Sequence, residues 1–172
     1  MTEILEAVGI KLLGALIFAL SGALCSVTLN KRARSRLASA EGMTELIRYI
    51  RSMVDLYALP LPRILMRMRS DGRCREFLAL CGYDPDKLPA DAAGLAESFP
   101  SEFADREAVE LFRRFLGEFG GTYRGEQVRI CDHYIDALSA RREALAAELP
   151  SRLKVNNALC VTGTLIPIIL LV

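Results

Sequence analysis

The sequence of 172 residues contains no Trp, a single His and no strong excess of charge of either sign. Its 22 basic and 21 acidic residues give a formal net charge of +1, so the chain lacks the positive field that binds nucleic acid. A hydrophobic content of 52% also excludes a disordered tail and a collagen-like repeat. The length suits one compact domain.

Metal-binding patterns are also missing. The five cysteines form no CxxC pair, and the only histidine, His133, follows Cys131 and Asp132 directly. Consecutive side chains on a helix point in different directions, whereas a metal site needs three or four ligands at set spacing. We therefore expect no metal, no cofactor and no disulfide, with the thiols reduced as in the cytoplasm.

Neither the glycines nor the histidine belongs to a catalytic motif. The glycines from Gly117 to Gly125 resemble a phosphate loop, but Glu126 and Gln127 follow where Lys and Ser or Thr are needed. A hydrolase would depend on His133 without a GxSxG elbow. We expect a protein that is not an enzyme; the alternative, a small membrane enzyme, requires a reactive Cys131 or His133.

Two uncharged runs, over 12–30 and 155–172, stand near the two ends of the chain. At about 1.5 Å of rise per residue, each is nearly as long as the hydrocarbon core of a bilayer is thick, roughly 30 Å. We interpret both runs as transmembrane helices. Residues 1–11, before the first run, form a short extracytoplasmic N-terminus.

Small residues share one face of the first run, where another helix can approach closely. The partner helix is either the second run of the same chain or a second copy in a homo-oligomer. The residues are Ala15, Ala19, Gly22 and Ala23.

Basic residues predict the orientation in the membrane. Lys31, Arg32, Arg34 and Arg36 directly follow the first run. Because Lys and Arg close to a span stay on the cytoplasmic side, we expect residues 31–154 in the cytoplasm and both termini outside. The opposite topology would make the middle of the chain an exported, membrane-anchored sensor or binding domain.

The middle of the chain has helical periodicity throughout, with no stretch that alternates like a strand. The pattern predicts an all-α fold, a cytoplasmic bundle of five to six helices flanked by the two transmembrane helices. Ser101 or Asp105 can cap the helix that ends at Phe119, and Pro150 should end or kink the last helix. A loop is expected over 82–100, where prolines and glycines recur.

An arginine cluster follows the first proline step. A solvated face is the simplest interpretation, and an acidic partner surface or anionic lipid headgroups are the functional alternatives. Its members are Arg63, Arg67, Arg69, Arg73 and Arg75.

The order of these pieces resembles one protein family. Over about 11–172 the chain is similar to stage III sporulation protein AB. The segments that carry the resemblance are, in order, KLLGALIFALSG, NKRARSR, LPLPRIL, FLGEFGGTYRGEQ and the terminal PIILLV. Phe115, Phe119, Gly120 and Gln127 fall on the family's central pattern, which implies that they hold a turn in shape.

The resemblance implies a two-pass protein of the mother-cell membrane around the forespore, in a channel-like complex related to secretion systems. Its cytoplasmic domain would resemble the helical domain of the platform proteins of type II secretion and type IV pilus systems. Its expected partners are a secretion-type ATPase of the same complex, other stage III sporulation membrane proteins and lipid. Arg113, Arg114, Glu118 and Glu126 surround the matched turn and are the candidate ATPase-binding residues.

Overall fold

A computed structural model describes residues 2–89, 91–97, 104–120 and 123–171. The predicted all-α class is confirmed for these residues, none of which lies in a strand. The helices are α1 (Thr2–Tyr57), α2 (Leu61–Ser70), α3 (Gly72–Leu80), α4 (Ala92–Glu97), α5 (Arg106–Glu118) and α6 (Arg124–Leu171).

The predicted loop over 82–100 is wrong in part, because a 3-10 turn at Pro85–Lys87 and helix α4 lie within it. Asp84 begins that turn by accepting a hydrogen bond from the Asp86 N–H at 3.1 Å. Proline and glycine therefore mark the ends of short helices here rather than a continuous loop.

The two terminal helices are much longer than the sequence predicts. Helix α1 has 56 residues and α6 has 48. Helix α6 continues through Pro150, so the predicted end there is wrong, and the alternative, a kink, stays a prediction. Proline removes the N–H that would bond to the carbonyl of Ala146. Because Pro150 and Ala146 are both exposed, water can hydrate that carbonyl and the helix continues.

The chain forms two compact units. Residues 1–34 and 148–172 form the terminal unit, and residues 35–147 form the central unit. Helices α1 and α6 contribute to both units. The predicted domain limits at 30/31 and 154/155 stay predictions.

The central unit contains one apolar core to which every α-helix of the unit contributes. Most of its members recur three or four positions apart along their helices, as the helical periodicity predicts, and Tyr134 on α6 joins them. The largest fully buried side chains are Phe112, Phe115, Met43, Leu46, Ile47, Ile50, Ile64, Leu65, Met68, Leu78, Leu88 and Leu95.

Helices α1 and α3 approach closely at Gly42. A Cβ atom there would lie 2.8 Å from Cys81 Sγ and 2.9 Å from the carbonyl oxygen of Phe77. No other residue fits without moving α3, so this glycine sets the distance between the two helices.

A buried ion pair joins α5 to α6. Asp105 caps α5 by accepting from the Ala108 N–H at 3.2 Å, as predicted, while Ser101 lies outside the described residues. Arg141 donates two hydrogen bonds to the Asp105 carboxylate, at 2.8 and 2.9 Å, and also pairs with Glu107 at 2.8 Å. Burial raises the pKa of Asp105, but the hydrogen bonds from Arg141 and Ala108 outweigh it and hold the pKa below its ordinary value.

Candidate functional site

The end of α5 carries three of the four residues that the family pattern assigns to a turn. Phe119 ends the helix, and its N–H donates to the Phe115 carbonyl at 2.9 Å. Gly120 follows with φ of +119°, a conformation that side chains rarely adopt. The Phe115 ring lies 5.2 Å from the Phe119 ring and 5.7 Å, edge-on, from Tyr134 of α6. Two buried aromatic rings therefore anchor this helix end in the core.

Gln127, the fourth residue of the pattern, lies in the first turn of α6. Its N–H and that of Glu126 both donate to the Tyr123 carbonyl, at 3.1 and 3.0 Å. Gln127 thus belongs to the helix that follows the turn, and its side chain is half-buried.

The candidate partner residues of α5 already have partners within the central unit. Arg113 donates to the Ala96 carbonyl at 3.2 Å and so connects α5 to α4. Arg114 pairs with Glu110 at 3.1 Å, one turn away on the same helix. Both arginines remain exposed, so their outer surfaces are open to a partner.

The two acidic candidates flank the turn between α5 and α6. Glu118 accepts from the Tyr134 hydroxyl at 2.8 Å, and Glu126 pairs with Arg129 at 2.7 Å. Burial and the bond to Glu118 raise the pKa of Tyr134 to about 12, so its hydroxyl stays protonated.

The four candidates do not share one groove. Glu118 and Glu126 line a groove of about 380 Å³ with Arg129, Ile130 and His133. Arg113 lines another, of about 400 Å³, with Arg106, Val109 and Glu110. The acidic pair and Arg113 therefore offer two separate surfaces.

A charge network that the sequence analysis missed joins α1 to α6. The Arg51 guanidinium donates to Asp132, with Nη2 to Oδ2 at 3.3 Å. Arg124 donates to the Asp55 carbonyl and, at 3.1 Å, to its carboxylate. The partners are 81 and 69 positions apart in the chain, so no local spacing rule pairs them.

In the terminal unit, polar side chains connect α1 to α6. Ser26 Oγ donates to Asn157 Oδ1 at 2.7 Å, and Asn30 Nδ2 donates to the same oxygen at 2.8 Å. Asn156 Nδ2 donates to Asn30 Oδ1 at 3.3 Å. These hydrogen bonds fix the register of one helix against the other.

The small residues of α1 face α6 of the same chain. A Cβ atom on Gly22 would lie 2.0 Å from Cγ2 of Thr164. Ala19, Gly22 and Ala23 line one groove with Thr164, and Ala15 lies one turn earlier, half-buried. This contact lies within one chain, and a homo-oligomer stays a prediction.

The terminal unit exposes many large apolar side chains on both of its helices. Helix α1 is long and apolar enough to cross a membrane over Gly14–Tyr57, with a mean hydropathy of 1.3 in its most apolar window. No second such helix occurs in the described part of the chain, and part of the second predicted span lies outside it. The exposed apolar residues are Leu16, Ile17, Phe18, Leu20, Leu24, Val27, Val155, Leu159, Val161, Leu165, Ile166 and Ile169.

Comparison with known proteins identifies the family. The family model of stage III sporulation protein AB matches residues 11–172. No curated protein and no solved structure matches the chain significantly. The matched range includes α2 to α5, all of α6 and most of α1. The chain belongs to the stage III sporulation protein AB family.

Proposed function

We propose that the protein is a non-enzymatic platform that couples a cytoplasmic secretion-type ATPase to a sporulation complex in the membrane. Family membership supports the role in sporulation. The observation that carries the proposal is the unequal exposure of apolar side chains. Among the described residues, twelve of the seventeen exposed large apolar side chains lie in the terminal unit, whereas the central unit buries an apolar core.

The exposed apolar side chains of the terminal unit favour lipid as its solvent. In water these side chains would need a protein partner large enough to cover them, whereas the acyl chains of a bilayer solvate them directly. The polar network of Ser26, Asn30 and Asn157 lies close to the basic residues that begin at Lys31. This arrangement supports two passes, with the central unit on the cytoplasmic side.

The burial of the Cys131 side chain is evidence against a small membrane enzyme. The side chain is fully buried, and burial raises the pKa of its thiol to about 12. A thiol of this kind is protonated at neutral pH and out of reach of a substrate. His133 would then have to act without a nucleophile beside it.

Coupling requires that the ATPase prefer one arrangement of the platform over another. A ligand shifts an equilibrium only by its difference in affinity between the two states. Helices α1 and α6 belong to both units, so force applied to the central unit acts on helices that also form the terminal unit.

The test measures binding between the full chain in lipid nanodiscs and the ATPase of the same complex. Charge reversal at the exposed residues, Arg113→Glu and Glu118→Lys, should weaken binding, while Glu76→Lys on α3 is the matched control. Unchanged binding by both variants, with the fold retained by circular dichroism, would exclude these two surfaces. Absence of binding by the unmodified chain would refute the coupling itself.

A further inference from the structure

In the terminal unit, the Asn157 side chain presents an unused hydrogen-bond donor. Its Oδ1 accepts from Ser26 Oγ at 2.7 Å and from Asn30 Nδ2 at 2.8 Å. Because both donors bond to the oxygen, they determine the orientation of the amide group and leave its Nδ2 on the other side. Asn157 is exposed, and this Nδ2 bonds to none of the described residues. It is therefore available to an acceptor from outside the chain.

Positively charged side chains lie next to this donor. Arg34 is four positions after Asn30, and Lys154 is three positions before Asn157. Each of the two cations therefore lies one turn from the polar network, on the same face of its helix. The hydrogen bond between Asn30 and Asn157 brings the two faces together. Both cations are exposed, and neither forms an ion pair among the described residues.

The charge balance of this part of the chain favours an anionic ligand. Residues 12–34 and 148–172 contain five basic residues and one acidic residue, Glu148, which pairs with Arg152 at 2.7 Å. A second copy of the chain would bring the same excess of positive charge to the same level and would be repelled. An anion at this level is attracted by each cation instead.

A groove between α1 and α6 leads from the polar network into the apolar part of the terminal unit. It has a volume of about 480 Å³, with Ser26 and Asn157 at one end and Ala19 and Thr164 at the other. The two ends are seven residues apart on each helix, a length of about 10 Å. The alanines that line α1 in this groove are too short to fill it. The space suits an acyl chain, which a free anion does not have.

We propose that this groove binds one anionic phospholipid. The headgroup phosphate accepts from Asn157 Nδ2 and lies beside Arg34 and Lys154, and one acyl chain lies along the groove. Basic pockets between membrane helices recognise acidic headgroups in this way, and each Lys or Arg near the surface strengthens binding by about fivefold. This inference rests on the proposed function for the position of the terminal unit in the membrane, and it adds a lipid ligand that the function does not require.

The test measures the apparent Kd of the full chain for phosphatidylglycerol, in a non-ionic detergent, by native mass spectrometry. Phosphatidylcholine with the same acyl chains has no net charge and should bind at least about fivefold more weakly. Asn157→Asp keeps an oxygen for Ser26 and Asn30 but replaces the donor by a negative charge, so the Kd should rise by about tenfold or more. Lys154→Gln should raise it by about fivefold. The matched control, Lys87→Gln in the central unit, changes the net charge equally and should alter the Kd by less than about twofold.

A further variant tests the acyl chain. Ala23 lines the groove and is exposed, so the larger side chain of Ala23→Leu occupies part of the space and should weaken phosphatidylglycerol binding. Inorganic phosphate should not displace the lipid. If phosphate displaces it and Ala23→Leu has no effect, the site binds a free anion and the inference is overturned. Dimers of the chain that Ala23→Leu abolishes, without bound lipid, would also overturn it, since a second copy would then occupy the groove.

The remaining outcomes separate this inference from the proposed function. Equal binding of the two lipids, or unchanged binding by both Asn157→Asp and Lys154→Gln, would refute the lipid site even if the ATPase binds the chain. If the chain stays in solution without detergent, the terminal unit does not lie in a membrane and both proposals fail. All the substituted side chains are exposed, and thermal melting followed by circular dichroism checks that each variant is folded. If Asn157→Asp does not fold, Lys154→Gln decides the test.

Discussion

Replacement of Arg141 by Met should be among the most destabilising changes of a charged residue in the central unit. The substitution keeps the length of the side chain but removes both hydrogen bonds to Asp105 and the contact with Glu107. Asp105 is only 6% exposed, so its carboxylate would be left buried with the Ala108 N–H as its remaining hydrogen bond. An unpaired buried charge is more costly than the lost attraction alone.

The magnitude follows from this geometry. Breaking a fully buried ion pair costs about 3–5 kcal/mol. The Arg141 side chain is 25% exposed and the helix cap remains, so we expect a loss of about 2–3 kcal/mol in the free energy of unfolding. Asp105→Asn should cost less, about 1–2 kcal/mol, because the amide oxygen can still cap α5.

Urea unfolding of the full chain in mild detergent, followed by circular dichroism, measures both changes. Glu107→Gln is the matched control, because it removes only the exposed partner of Arg141, and should cost less than about 1 kcal/mol. A loss below about 0.5 kcal/mol for Arg141→Met would refute the argument, since it would mean that the pair adds nothing to the packing of α5 on α6.

The same pair predicts how stability depends on pH. The pKa of Asp105 is lowered in the folded chain, so its contribution is complete above the unfolded pKa of about 3.9 and is lost as the pH falls through the folded value. In Arg141→Met this contribution should be smaller, and the variant should lose less stability between about pH 5 and pH 2 than the unmodified chain. A steeper acid loss in the variant would contradict the assignment.

Three further results are expected. Gly42→Ala should lower the free energy of unfolding by about 1–3 kcal/mol in the same urea assay. Gly117→Ala, with open space around the glycine, is the control and should be neutral or stabilising by up to about 1 kcal/mol. Equal effects of the two substitutions would contradict the close approach of α1 and α3. Asn157→Ala should lower the temperature at which the chain aggregates in detergent, because it removes hydrogen bonds between α1 and α6. Such bonds between helices in membranes contribute about 0.6 kcal/mol each. An unchanged aggregation temperature would mean that these bonds do not stabilise the terminal unit. Cys74 and Cys131, whose thiol pKa burial raises to about 12, should resist alkylation at pH 8 until urea unfolds the chain, and rapid labelling of the folded protein would contradict their burial.

Periodicity predicts the helices of the central unit other than α4, because each of them buries one face. The stripe through Phe112, Phe115 and Phe119 lies in the core, and Asp105 caps α5 as its position suggested. These features depend on residues three or four positions apart, which a sequence shows directly.

The sequence could not predict contacts between distant segments. Neither Arg51 with Asp132 nor Arg141 with Asp105 follows a spacing rule, since each pair forms only after the helices pack. The length of α1 is also not evident in the sequence. The uncharged run over 12–30 and the periodic segment after it look like two helices, although no residue between them ends the helix. Proline usually ends a helix, but here the carbonyl that it frees, on Ala146, is exposed to water and the helix continues.

The position of the central unit in the cytoplasm is the claim on which the platform proposal depends most. Native thiols cannot report it, because Cys74 and Cys81 are buried, so a cysteine is introduced at the exposed Ala79. In cells that express the chain without sporulating, a membrane-impermeant maleimide should label Ala79→Cys only after permeabilisation, whereas Thr2→Cys, in the N-terminal segment, should be labelled in intact cells. Labelling of Ala79→Cys in intact cells would contradict the cytoplasmic position of the central unit and with it the platform proposal.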